Sequence, residues 1–432
     1  MAPLTPTAHN TTLVGFTPES SDRGTFGILN PCLAVLFLNT WTVFHVNIPS
    51  ERLLRSRRRW WLHRLKIWII TIIVPDGIST VAFNQWREAR RSIRTIQPIY
   101  AWWTIKHGFY AEMGGFRVVD DSSGQEYAFR AAQLSWLLAR QELELPEVSQ
   151  EELDDKSDAD WIAKTIACGQ SLWFLINAMA RLSSGMPLTT LEIEVLPFIA
   201  TTWWTYLFWW QKPVNILLPT KVHVLKLEEA TLIDLARETC HPEQGPAWWR
   251  PVPREIHERG WDFYWFEKPL DTNTWRGVST LDAMPTNLKR LVKGTPAQSK
   301  VEVWYRPAVN EMHPSEWTWL DDLIIYLLGM FINAALLGAW EFHFPSELES
   351  KLWKAAVVTM MGSITLWWPL AWLLRFWLRP TSLAKHSAFY ALMGVYMAGR
   401  VYVIFEPFVG LRLLPANAYR AVSWSIFVAH IG

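Results

Sequence analysis

The segment from Trp102 to Phe116, WWTIKHGFYAEMGGF, sets His107 and Glu112 among apolar and aromatic residues and closes on Gly114-Gly115. An imidazole and a carboxylate in such surroundings can move a proton, and ionisable groups in apolar settings mark functional sites by default. Their spacing of five keeps them off one helical face, so they converge only if the glycines turn the chain. HxxxxE is not a metal-binding spacing, and neither a metal nor a cofactor is expected. Asp76 sits in Pro75-Asp76-Gly77, halfway along an apolar stretch. A carboxylate at such a break either caps the new helix end or, kept in an apolar pocket, donates a proton. Glu192 follows Thr189 by three residues and reads as a capping box. Glu194, deeper in the same helix and before Pro197, is the better buried carboxylate.

A second set of polar groups lies on apolar helices. Gln170, Asn177 and Arg181 fall within an arc of roughly 40° at 100° per residue, with Trp173 one turn from Gln170. Such a stripe is expected to face the protein interior, where it lines a path or hydrogen-bonds another helix. Arg400 lies inside a late apolar segment, and Glu406 and Arg412 flank its end. A lone buried charge costs several kcal/mol, so one of these arginines is expected to neutralise a carboxylate from another helix.

These residues sit on elements of membrane length. The 432 residues have a mean hydropathy of only +0.05, but the apolar ones gather in blocks of about 20, enough to cross a hydrocarbon core. The sequence predicts an all-α polytopic transmembrane helix bundle of six to seven segments, one broken or re-entrant, with cytosolic insertions. The segments are 26–46, 67–83 with the Pro75 break, the hairpin 161–182 and 191–210, then 320–340, 353–378 and 387–405. A tail over 1–25, polar insertions over 84–160 and 212–319, and an amphipathic end over 406–432 complete the chain. The 29 tryptophans, many in pairs such as Trp60-Trp61 and Trp209-Trp210, are expected at the membrane–water interface. Cys32, Cys168 and Cys240 show no paired spacing, which argues against a disulfide framework or zinc site.

Basic residues set the orientation. The run Arg52 to Arg59, with Arg64 and Lys66, is expected in the cytosol, which places the N-terminus in the lumen of the endoplasmic reticulum or another endomembrane. Asn10-Thr11-Thr12 is an N-glycosylation sequon on that side. A net charge of +1 makes no electrostatic case for nucleic acid. The expected partners are membrane lipid and a lipophilic small molecule.

The order of KHGFYAEMGGF, DKSDADWIAK with GQSLWF, PLTTLE, WWQKP and GRVYVIFEPFVGLRLLP resembles a large family of fungal polytopic membrane proteins of unknown function. The resemblance covers most of the chain from about Val74 onwards. It implies a fungal origin and a seven-segment or similar bundle, and it supplies no catalytic residues. Some polytopic proteins of uncertain role occur in fungal natural-product pathways, which by analogy favours an enzyme here.

Two functions follow. One is a membrane-embedded cyclase or isomerase acting by acid/base chemistry on a terpenoid, meroterpenoid or polyketide precursor, with Asp76, His107, Glu112 and Glu194 as proton carriers. The other is an ion channel or transporter, its path lined by Gln170, Trp173, Asn177, Arg181, Arg400 and the broken second segment. The sequence has no DDxxD-like cluster, GxSxG, HExxH, P-loop or dinucleotide fingerprint, which disfavours metal-dependent terpene synthases, hydrolases, kinases and nicotinamide enzymes.

Overall fold

The computed structural model describes residues 12–19, 22–43, 45, 47–48, 56–122, 124–155, 160–214, 216–228, 231, 235, 319–377 and 383–422. Asn10 lies outside them, as do most of the second insertion and the far end of the tail.

Helices form wherever the sequence is apolar at membrane length. They are α1 (Thr25–Thr42), α2 (Arg57–Ile73), α3 (Pro75–Ile96), α4 (Ile105–Glu112), α5 (Ala131–Ala139), α6 (Gln150–Asp155), α7 (Asp160–Ser183), α8 (Thr190–Trp209), α9 (Trp319–Ala334), α10 (Glu347–Trp377) and α11 (Leu383–Gly410). The chain is mostly helical. Among the described residues, two stretches can cross a membrane by length and composition, α1 and Ala391–Gly410 of α11. The pair α2 and α3 passes the same test together, bent by 107° at its break. Proline at the first position of α3 has no N–H to lose and a fixed φ, so it starts a helix as readily as it ends one.

The all-α expectation is corrected by two small sheets. Leu13–Val14 (β1) pairs antiparallel with Leu414–Pro415 (β5), which joins the two ends of the described chain. Phe116–Asp120 (β2) pairs antiparallel with Gln125–Ala128 (β3) and parallel with Thr220–Val224 (β4). The β-branched and aromatic runs FRVVD and TKVHV suit a half-buried pleated surface, a period-2 signal too short to stand out beside the helices. The first insertion is therefore no loose polar loop. α3 runs on into it as far as Ile96, and α4, α5 and the sheet pack around Trp103, Tyr110, Phe116, Val118 and Leu134. β4 follows α8 closely in the chain and fixes this α/β unit to the end of that helix.

Two glycines allow the unit to close. Gly114 ends α4 at φ 80°, a left-handed conformation that turns the chain into β2. Gly108 lets α4 lie directly on α3: a Cβ there would stand 2.5–2.8 Å from Ser92 Oγ and the Ala89 backbone. Since backbone cannot swing aside, Gly108→Ala is expected to part the two helices and cost about 1–3 kcal/mol, read from the midpoint of chemical unfolding.

Candidate functional site

Polar groups converge where α3, α8, α9 and α11 meet. Asp76 begins α3 at the bend, and the Tyr396 hydroxyl donates to its Oδ1 at 2.8 Å. The N–H groups of Asp76 and Gly77 also face the carboxylate, as the open end of a helix requires. Arg400 lies one turn beyond Tyr396 on α11, fully buried. Its Nη2 approaches Glu194 Oε1 on α8 at 3.2 Å, and its guanidinium lies 5.0 Å from the centre of the Phe198 ring. Asn333 on α9 neighbours the Tyr396 hydroxyl and donates to Gly329 O at 2.8 Å. Gly329 brings no side chain against Asp76: a Cβ there would be 3.9 Å from Oδ2. One carboxylate oxygen is thus held by Tyr396 while the other faces a glycine.

The structure gathers Asp76, Glu194 and Arg400, three of the residues singled out from sequence. It keeps His107 and Glu112 apart from them and from each other's partners. His107 is a helix cap. Its Nδ1 accepts from the Thr104 N–H at 3.1 Å, which leaves Nε2–H to donate to Val148 O at 2.9 Å. Both ring nitrogens are spent, and burial holds the imidazole below its usual pKa. Glu112 Oε1 accepts from the Ala131 N–H at 3.2 Å, at the start of α5, and Arg130 Nε stands 3.7 Å from Oε2. The two glycines turn the backbone, and the side chains go to different elements.

The expected interior stripe of α7 faces outward. Trp173 is 52% exposed, Gln170 and Asn177 are half-buried, and the Asn177 amide bonds its own helix at Trp173 O. The buried face instead carries Lys164, Ala167, Ser171, Phe174, Ala178 and Arg181. Periodicity established that the polar residues share a face, and small residues decided which face packs. Arg181 alone turns inward, donating to the carbonyls of Pro187, Ala418 and Arg420. Thr189 and Glu192 form the expected capping box.

Tyr396 and Asn333 had no sequence signal beyond being polar on apolar helices. Lys212, which its place after Trp209-Trp210 marks as an interfacial anchor of α8, turns inward instead. It is buried, donates to His45 O, Asn47 Oδ1 and Gln85 Oε1, and lies 3.9 Å from the Trp209 ring centre. Beside α3, Glu88, Arg91, Thr95, Ser135 and Trp136 line a half-open cleft of about 180 Å³.

These elements define a mostly helical protein with membrane-length helices, a bent helix pair and an attached α/β unit. The chain matches, over residues 1–239, the family of unknown function DUF8562, and it belongs to that family. No curated protein and no solved structure matches it.

Two measurements probe the buried charges. Replacing Glu194 with Leu strands the Arg400 guanidinium and is expected to cost about 3–5 kcal/mol in detergent-solubilised protein. Glu194→Leu with Arg400→Met should recover most of that loss. Burial pushes Glu112 up to about 7 against the opposing pull of Arg130, with Glu88 adding to the rise. From about pH 4.5 to about 7 the folded chain keeps a proton that the unfolded chain has lost, so stability falls as pH rises through that window. Glu112→Gln is expected to flatten this slope, worth as much as ~3 kcal/mol, in unfolding curves measured from pH 4 to 8.

Proposed function

We propose that this protein is a membrane-embedded acid/base catalyst that isomerises or cyclises a lipophilic small molecule, with Asp76 as the proton carrier. One observation carries this reading: Asp76 and Glu194, two carboxylates, are grouped with a single guanidinium, Arg400. That set carries a net charge of −1 in apolar surroundings, where a bound proton restores neutrality at less cost than an unpaired charge. Tyr396 holds Oδ1 of Asp76, so Oδ2, beside Gly329, is the oxygen that meets substrate. The carboxylate would accept a proton from one substrate carbon and return it to another, which leaves the atoms of the substrate unchanged in number. Arg400 and Glu194 serve as positioning residues that set the charge around Asp76.

The reading includes a polytopic arrangement of six to seven segments in an endomembrane, with the N-terminus luminal. Terpenoid, meroterpenoid or polyketide precursors fit the apolar surroundings. The bend at Pro75 favours a second reading, transport, because helices broken at membrane depth also hold ions and substrates.

The test is metabolite mass spectrometry of cells carrying the gene, the deletion, or the variants Asp76→Asn, Tyr396→Phe and Gly329→Leu. Deletion is expected to remove one compound and accumulate its isomer or precursor. Asp76→Asn should lower product about 10²–10⁴-fold, and Gly329→Leu should do likewise by crowding Oδ2, both at unchanged protein level. An identical metabolite profile across all strains would sink the enzymatic reading. Ion or solute flux in proteoliposomes that is lost in Asp76→Asn would then establish transport.

A further inference from the structure

α1 and α2 leave a guanidinium in an aromatic enclosure at their shared surface. Arg64, in the middle of α2, lies 5.3 Å from the ring centre of Trp41, 5.8 Å from Trp60 and 6.0 Å from Trp61. Trp41 and Trp61 stack at 6.4 Å, and Trp68 donates its indole N–H to Thr40 Oγ1 at 2.9 Å, so the walls are tied to both helices. Cation–π contact satisfies the faces of a guanidinium and leaves its N–H groups, which lie in the plane, to find acceptors. Among the described residues no carboxylate pairs with Arg64, and its Nε is buried without an acceptor. A fixed guanidinium with open donors is suited to a bidentate oxyanion.

The surroundings say which oxyanion. Indoles concentrate at the level of lipid headgroups, and Trp41 stands at the end of an apolar helix long enough to cross a membrane. Arg57, two turns before Arg64 on the same face, is exposed, as are Arg58 and Arg59. Below this cationic rim, beside the exposed Lys66, apolar side chains are open: Phe37, Leu65 and Ile69 are 48%, 42% and 45% exposed. Positive charge above, indole at the boundary and hydrocarbon below match a phosphate joined to acyl chains.

We propose that Arg64, walled by Trp41, Trp60 and Trp61, binds the phosphodiester of a bilayer phospholipid whose acyl chains lie along Phe37, Leu65 and Ile69. The lipid would supply the acceptor that the described residues do not give Arg64 Nε. This site is separate from the Asp76 cluster and stands or falls independently of the acid/base reading.

Native mass spectrometry of the full chain in mild detergent tests it, with three probes: dioleoylphosphatidylglycerol, dioleoylglycerol (the same chains without phosphate) and inorganic phosphate. The wild type is expected to retain phosphatidylglycerol, and Arg64→Gln to lose at least about tenfold of that retention, as removal of a charge-assisted hydrogen bond implies. Arg64→Lys, which keeps the charge but not the planar fork, should fall between them and serves if Arg64→Gln does not fold. Arg94→Gln, on an exposed basic residue of α3, should behave as wild type. Equal retention by wild type and Arg64→Gln would overturn the proposal, as would dioleoylglycerol retained as strongly as phosphatidylglycerol. Release of the lipid by millimolar phosphate would reassign the site to the free anion.

Discussion

The 107° turn between α2 and α3 is the constraint on which the rest of this structure depends. A straight helix through residues 57–96 would satisfy its own backbone throughout and would have no end to offer a carboxylate. Proline at position 75 ends that continuity, since the ring forbids the N–H bond and biases the residue before it away from helix. Val74 accordingly leaves the helical region at φ −129° and ψ 71°. The open N–H groups that result draw in the Asp76 carboxylate, and Asp76 in turn draws Tyr396 from a helix 320 residues later in the chain. A local backbone rule thus fixes a long-range contact.

Beyond the turn, α3 acts as a shared rod. Its first turn carries Asp76, and Gln85, about two and a half turns on, receives the buried Lys212 ammonium. Further along, Ser92 accepts from the Trp103 indole at 2.9 Å in the core of the α/β unit. From Asp76 to Ser92 is 16 residues, or about 24 Å of helix. One element therefore belongs to both the apolar bundle and the sheet-bearing unit. Lys212 reinforces the junction by joining α3, the exit of α8 and the segment after α1, with three acceptors matched to three ammonium donors. β4 does the same in backbone terms, because it pairs with β2 a few residues beyond Lys212.

Much of the helical layout was legible because membrane-length apolar runs and their proline and glycine breaks are written locally. Helices occupy each of the seven apolar stretches, the broken segment lies at Pro75, and the Thr189–Glu192 box is formed. Asp76, Glu194 and Arg400 were visible one by one, since a charge in apolar sequence stands out. Their grouping was not, because it depends on how α3, α8 and α11 pack and on a neutral tyrosine that looks like any other aromatic. WWTIKHGFYAEMGGF drew notice for good reason and yielded a different role. His107 occupies the capping-box position usually taken by glutamate or glutamine, and a histidine there accepts through Nδ1 just as an oxygen would. Its setting among apolar and aromatic residues is what made it resemble chemistry.

The α7 stripe shows the limit more sharply. Helical periodicity groups residues by angle but is blind to which angle faces a neighbour. On α7 the informative residues were the small ones, Ala167, Ser171 and Ala178, because close helix approach needs short side chains more than polar ones. Ser171 confirms the contact by donating to Asn39 Oδ1 of α1 at 2.9 Å. Once α7 is turned that way, Trp173 must look outward, while Arg181, three residues on from Ala178, lies at the edge of the packed face and reaches inward to backbone carbonyls. The same sorting acts on tryptophan pairs, where adjacent indoles on a helix point in different directions. Trp209 is buried against Lys212 and Trp210 is 63% exposed. At the end of α8 the pair thus marks where one ring packs into the protein and the next meets its surroundings. Two pairs depart from this: Trp102 and Trp103 both pack against His107, and Trp60 and Trp61 both contact Arg64, which lies within reach at i+4 and i+3.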